Sequence, residues 1–218
     1  MNEQTNTRRL TLMAMLAAMA YVAMLVTRPL PHVAGFLSYD LKDVVVAVAG
    51  FILGPVPALL ITAVVSLVEM VTVSTTGFIG LAMNILSTGA FALPAAIIYG
   101  RSRSLRSAAL GLGLGVILMT VVMLAWNYIL TPLYMHVPRD VVAGMLLPTF
   151  LPFNLVKGAL NAGITMLVYK PLSAALRRAR LLPEREGGAH AGSFNPVVTL
   201  VSAFIVITCV LVLFFVLK

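Results

Sequence analysis

From Leu10 to Val26 the chain carries no charged side chain, and apolar stretches of this kind recur to its end. Backbone N–H and C=O groups in hydrocarbon have no water to bond, so such stretches satisfy themselves as helices. The fold class that follows is all-α, a polytopic membrane protein. Composition excludes the alternatives: with 61% hydrophobic and 10% charged residues, neither an ordinary soluble domain nor a disordered chain fits. The formal charge of +8 does not point to nucleic acid, because the basic residues form short clusters between apolar spans, where they mark topology. Arg8 and Arg9 ahead of the first stretch superficially resemble a secretory leader. That stretch runs about 18 residues, without a small-x-small cleavage site before the polar loop, and reads as the first span. A single cysteine, Cys209, excludes an intrachain disulfide and a thiolate cluster. His32, His136 and His190 are scattered, so no metal site is expected.

Proline, glycine and charge divide the chain into seven spans, near 9–27, 41–54, 56–73, 78–99, 107–131, 152–169 and 195–217. The second is short for a hydrocarbon core of about 30 Å. A loop of about 20 residues, "TPLYMHVPRDVVAGMLLPTFL", is expected before span 6, with Pro152 opening that helix. With the N-terminus inside, ten Lys and Arg fall inside and four outside, Lys157 lying within a span, so the N-terminus is expected to be cytoplasmic and the C-terminus extracellular. Residues 1–178 read as one membrane domain, 179–194 as a charged, Gly-rich cytoplasmic linker and 195–218 as an additional transmembrane helix.

The polar residues within spans converge on one depth. Asn84, Asn127, Asn154, Lys157 and Glu69, with Asp40 and Asp43 leading into span 2, all fall in the outer half. A proton path would string such groups through the membrane. Each also has a plainer account. Lys157 can snorkel to the headgroups, Asn84 and Asn127 can bond between helices, Asp43 can sit on a helix dipole, and Glu69 can face the interface. Taken together, beside Phe78, Trp126, Tyr128, Tyr134, Phe150 and Phe153, they suggest an outward-facing small-molecule pocket with flat apolar walls, a few amides and one cation. In span 1, Ala14 and Ala18 make a small-xxx-small surface on which another helix can approach. No nucleotide-binding loop, zinc-protease motif or nucleophile–base pair occurs, so any energy for uptake comes from a partner or a coupled ion.

The order "FLSYDLKDV", "GFILGPVPALLITAVVSLVE", "STTGFIGLAMNILSTGAFALPAAIIYGR", "WNYILTPLY" and "LPFNLVKG" resembles the riboflavin-specific substrate-binding (S) components of energy-coupling-factor (ECF) vitamin transporters over about residues 8–178. "NYILTPLY" followed by "PFNLVKG" is the specific part. The resemblance implies a six-helix S-component bundle that binds riboflavin at the extracellular side, with no cofactor and no catalysis of its own. It also implies a membrane-embedded coupling (T) subunit and two ATP-binding subunits as partners, and toppling in the membrane to release the vitamin. Carried over by position, Asn127, Asn154 and Lys157 are the main polar contacts to the vitamin; Asn84, Leu37, Tyr39 and Asp40 are further contacts. Ala14 and Ala18 match the family's surface for the coupling subunit. Span 7 departs from the family's pattern and reads as an appendage or a lateral contact.

Rival readings separate by simple features. Another S component, for thiamine or biotin, would share the Asn-rich pocket but not the paired motifs. A secondary carrier would use Glu69 and Asp43 as coupling sites and lose uptake to a protonophore. A ligand-free scaffold would work through Ala14, Ala18 and span 7. A membrane enzyme lacks a catalytic constellation.

Overall fold

The computed structural model describes residues 3–30, 37–179 and 196–215. Of the linker 179–194 only residue 179 is described, and the terminal Lys218 lies outside the described residues. Within them the elements are α1 (Glu3–Thr27), α2 (Lys42–Leu53), α3 (Pro55–Thr72), α4 (Gly77–Ser102), α5 (Leu105–Met135), α6 (Arg139–Met145), a π-helical turn (Leu146–Phe150), α7 (Leu151–Arg178) and α8 (Pro196–Phe215). Among the described residues five helical stretches are long and apolar enough to cross a membrane, α6, the π turn and most of α7 counting as one. The chain is a multi-pass, all-α membrane protein.

The short second span proves to be the core. Twelve residues reach about 18 Å, less than the hydrocarbon thickness, and α2 is instead buried on nearly all sides, with Val46, Ala47, Val48 and Ala49 fully enclosed. A helix apolar all round belongs inside a bundle. Gly54 ends it at φ +98°, a backbone conformation that a side chain disfavours, and Pro55 opens α3 with its fixed φ. Around α2 stand α1, α3, α4 and α7, while α5 pairs along α4. α1 presents Leu12, Leu16, Ala20 and Met24 to this core, one residue per turn. Phe51, Tyr99 and Tyr169 stack where α2, α4 and α7 meet, with centroids 4.4–6.0 Å apart. At Gly115 of α5 the Phe91 carbonyl of α4 occupies the space a Cβ would take, so the two backbones approach closely.

Three local expectations change. The loop before span 6 is helical: α5 continues to Met135, and from Arg139 the chain runs through α6 and the π turn into α7. Pro152 is therefore not the start of the helical path. It lacks an N–H, and the ladder widens just before it, Leu151 N–H bonding Leu146 O, five residues back. Asn154 and Lys157 consequently lie about four and five turns along that path instead of in its first two. Likewise Asn127 is about two turns from the end of α5, not one.

Candidate ligand pocket

The widening at 146–150 sets the phase of α7, and Asn154, Lys157, Asn161 and Thr165 follow at spacings of three and four on one buried stripe. That stripe faces the start of α2 and the preceding segment 37–41. Lys157 Nζ lies 3.4 Å from Asp40 Oδ2 and 3.8 Å from Asp43 Oδ2. Lys42 Nζ lies 2.7 Å from Glu69 Oε2 on α3 and 3.6 Å from Asp40 Oδ2. Asp43 also accepts from Thr88 Oγ1 at 2.6 Å and Asn161 Nδ2 at 3.2 Å. Tyr39 donates its hydroxyl to Asn161 Oδ1 at 2.9 Å. Buried ions are tolerable when paired and hydrogen-bonded in this way. Asp40, ahead of α2, shows the balance: burial pushes its carboxyl up, but Lys157 and Lys42 pull it below the usual range.

This network forms one side of a cavity of about 390 Å³, within the roughly 300–1,000 Å³ common for small-molecule sites. Asn84 and Met83 of α4, Asn127, Met123 and Thr131 of α5, and Phe153, Asn154 and Lys157 of α7 line it. Leu37, Tyr39 and Asp40 contribute from the segment before α2, Glu69 from α3 and Arg28 from the end of α1. The structure thus brings all seven sequence-predicted binding residues to one cavity. Asn127 donates to Met123 O at 2.7 Å and accepts from Thr131 Oγ1 at 3.0 Å. Asn154 donates to Phe150 O at 2.8 Å. These bonds hold each amide against its own helix and fix its aim. Ala14 and Ala18 lie elsewhere, exposed on the side of α1 away from its buried stripe.

Several plainer readings fail. Lys157 does not snorkel; it is 8% exposed and tied to two carboxylates. Among the described residues Asn127 does not bond between helices, since both its partners there lie on α5. Asp43 does sit in the first turn of α2, but its carboxylate is held by Thr88, Asn161 and Lys157. Glu69 turns inward to Lys42 instead of to the interface. The expected aromatic walls are mostly absent as well: Phe78 is 78% exposed, Tyr128 is exposed, and neither they nor Trp126 and Phe150 line the cavity. The Tyr134 side chain is outside the described residues. Trp126 and Tyr128, next to Asn127, point about 100° away from it around the helix; of the five whose side chains are described, Phe153 alone lines the cavity, beside Met24, Met83 and Met123. Asn161 and Thr88 join the network without standing among the sequence candidates. Asn161 was legible as the next step of the Asn154–Lys157 stripe; nothing in the local sequence marks Thr88.

The family model described as "ECF transporter, substrate-specific component" matches residues 8–169. The riboflavin transporter RibU of Staphylococcus aureus is 32% identical over 184 residues, covering 82% of this chain and 96% of its own. The riboflavin transporter FmnP of Bacillus subtilis is 29% identical over 187 residues, covering 79% and 96%. A solved structure described as the S component of a bacterial ECF transporter superposes with a TM-score of 0.66 at 32% identity, covering 79% of this chain and 99% of that one. The overall fold is thus shared with that solved S component, and the chain belongs to the substrate-specific components of ECF transporters.

Proposed function

We propose that the chain binds riboflavin in the cavity between α4, α5 and α7 and serves as the riboflavin S component of an ECF-type uptake system. The observation that carries this reading is the convergence of Asn84, Asn127, Asn154 and Lys157 with Leu37, Tyr39 and Asp40 on one cavity. The isoalloxazine edge alternates carbonyls, ring nitrogens and an imide N–H, which an amide pairs in both directions. Asn154 uses one of its donors on Phe150 O, and its oxygen and second hydrogen serve the ligand. Asn127, whose oxygen already accepts from Thr131, contributes its second amide hydrogen and the remaining lone pair of that oxygen. The methionine-rich walls and Phe153 suit the flat ring faces. Lys157, held by Asp40 and Asp43, has a third donor for a flavin or ribityl oxygen.

A charge-coupled carrier is the weaker reading. Its coupling acids would need to stand free in the pathway, whereas Glu69 pairs with Lys42 at 2.7 Å and Asp43 lies 3.8 Å from the Lys157 ammonium. In the proposed system ATP hydrolysis belongs to two partner subunits. A coupling subunit docks on the exposed Ala14–Ala18 face of α1, and the N-terminus is cytoplasmic. The test is purification in detergent from cells grown with riboflavin. The protein should emerge yellow, with quenched flavin fluorescence. A colourless protein that fails to quench added riboflavin at micromolar concentration sinks the proposal.

A further inference from the structure

α8 lies beyond residue 169, where the family match ends, and it packs on α7. Its inward face is Ser202, Ile205, Val206 and Cys209, spaced as i, i+3, i+4 and i+7. The approach is close at Gly163 of α7, where a Cβ would lie 3.0 Å from Val206 Cγ2 and 3.3 Å from Ser202 O. Toward the C-terminal end of that face, Cys209 is buried in one cluster with Tyr39 and Leu160, and Leu41 packs against it. Tyr39 is the link to the pocket. It lines the cavity, bonds Asn161, and through Asn161 reaches Asp43. The other face of α8 is open, Phe204 being 71% exposed.

We propose that α8 is a brace for the binding site: it clamps Tyr39 against α7, fixes segment 37–41 with Asp40 over the bound ligand, and slows ligand release. Segment 37–41 has no helix of its own to hold it, so lateral packing from α7 and α8 decides how often it opens. Cys209 is a positioning residue in this account. The inference rests on the riboflavin reading of the pocket, and the test separates the two.

In the full chain in detergent, the reaction rate of Cys209, the lone cysteine, with a small maleimide is measured with and without saturating riboflavin. Bound riboflavin should slow labelling by about tenfold or more, because the ligand makes opening of segment 37–41 away from the buried thiol rarer. Equal rates, with binding confirmed by fluorescence quenching, would overturn the brace. Cys209→Ala should release riboflavin several-fold faster, Cys209→Val should restore the slow rate, and Phe204→Ala on the open face should leave it unchanged. A wild-type release rate in Cys209→Ala would also overturn it. If riboflavin does not quench at all, the ligand assignment fails, and Tyr39→Gly decides the brace alone. Faster labelling of Cys209 in that variant supports it, and an unchanged rate overturns it.

Discussion

Replacing Lys157 with methionine keeps the aliphatic stem and removes one of two ammonium groups from a buried cluster that holds three carboxylates. Asp40 would retain Lys42 at 3.6 Å and the Lys42 backbone N–H at 3.1 Å. Asp43 would retain Thr88 and Asn161, but no ammonium within 4 Å among the described residues. Breaking one side of a buried pair typically costs about 3–5 kcal/mol, largely through the charge left behind. Two remaining hydrogen bonds to Asp43 place this case near the lower end, about 3 kcal/mol. At roughly 2–4 °C per kcal/mol for a chain of this size, Tm should fall by about 6–12 °C. Adding Asp43→Asn removes the stranded charge and leaves an amide of the same shape. The double variant should therefore recover more than half of the loss, a coupling of at least about 1.5 kcal/mol in the mutant cycle. The assay is thermal unfolding of the ligand-free protein in detergent, followed by tryptophan fluorescence. A Lys157→Met melting within about 2 °C of wild type, or a double variant no more stable than the single, would refute the network as a buried framework. Riboflavin affinity of the double variant then reads the direct contact. Weak binding by a well-folded double variant assigns the ammonium to the ligand as well as to the frame.

Asn154→Ala and Asn127→Ala should each weaken riboflavin binding by about 1–3 kcal/mol, measured by fluorescence quenching, as expected when a buried polar partner is lost. Unchanged affinity in both would return them to a structural role. Ala14→Trp or Ala18→Trp should leave riboflavin affinity intact and abolish ATP-driven uptake with the partner subunits; normal uptake would remove α1 as the docking face. Gly115→Leu should sharply lower the yield of folded protein, because its side chain meets the Phe91 carbonyl across α4 and α5; a wild-type yield and melting temperature would show that the two helices part easily.

Much of the site was legible because polar residues in apolar spans are few and each demands a partner. Asn84, Asn127, Asn154 and Lys157 stood out singly, and the structure joins them in one cavity. What sequence did not supply was the partner of each charge. Lys157 to Asp40 spans 117 positions and Lys42 to Glu69 spans 27, so no local pattern pairs them. The fate of span 2 was ambiguous for a related reason. A short apolar helix reads the same whether it is a strained crossing or an enclosed core, and only its neighbours on every side decide. The π turn was hidden because two prolines, Pro148 and Pro152, look like the end of a loop and the start of a helix. A widened ladder carries the helix past both. The close approach of α4 and α5 had a visible sign in Gly111 and Gly115, four apart, which the polar pattern overshadowed.

The central claim, that the pocket between α4, α5 and α7 holds riboflavin, is tested most directly by an experimental structure of the chain with riboflavin bound. The account predicts the flavin ring among Met83, Met123 and Phe153, its polar edge within hydrogen-bond distance of Asn127 and Asn154, and Tyr39 and Asp40 covering it. A flavin seated instead in the apolar groove around Ile97 and Leu118, or at any site away from both amides, would contradict it.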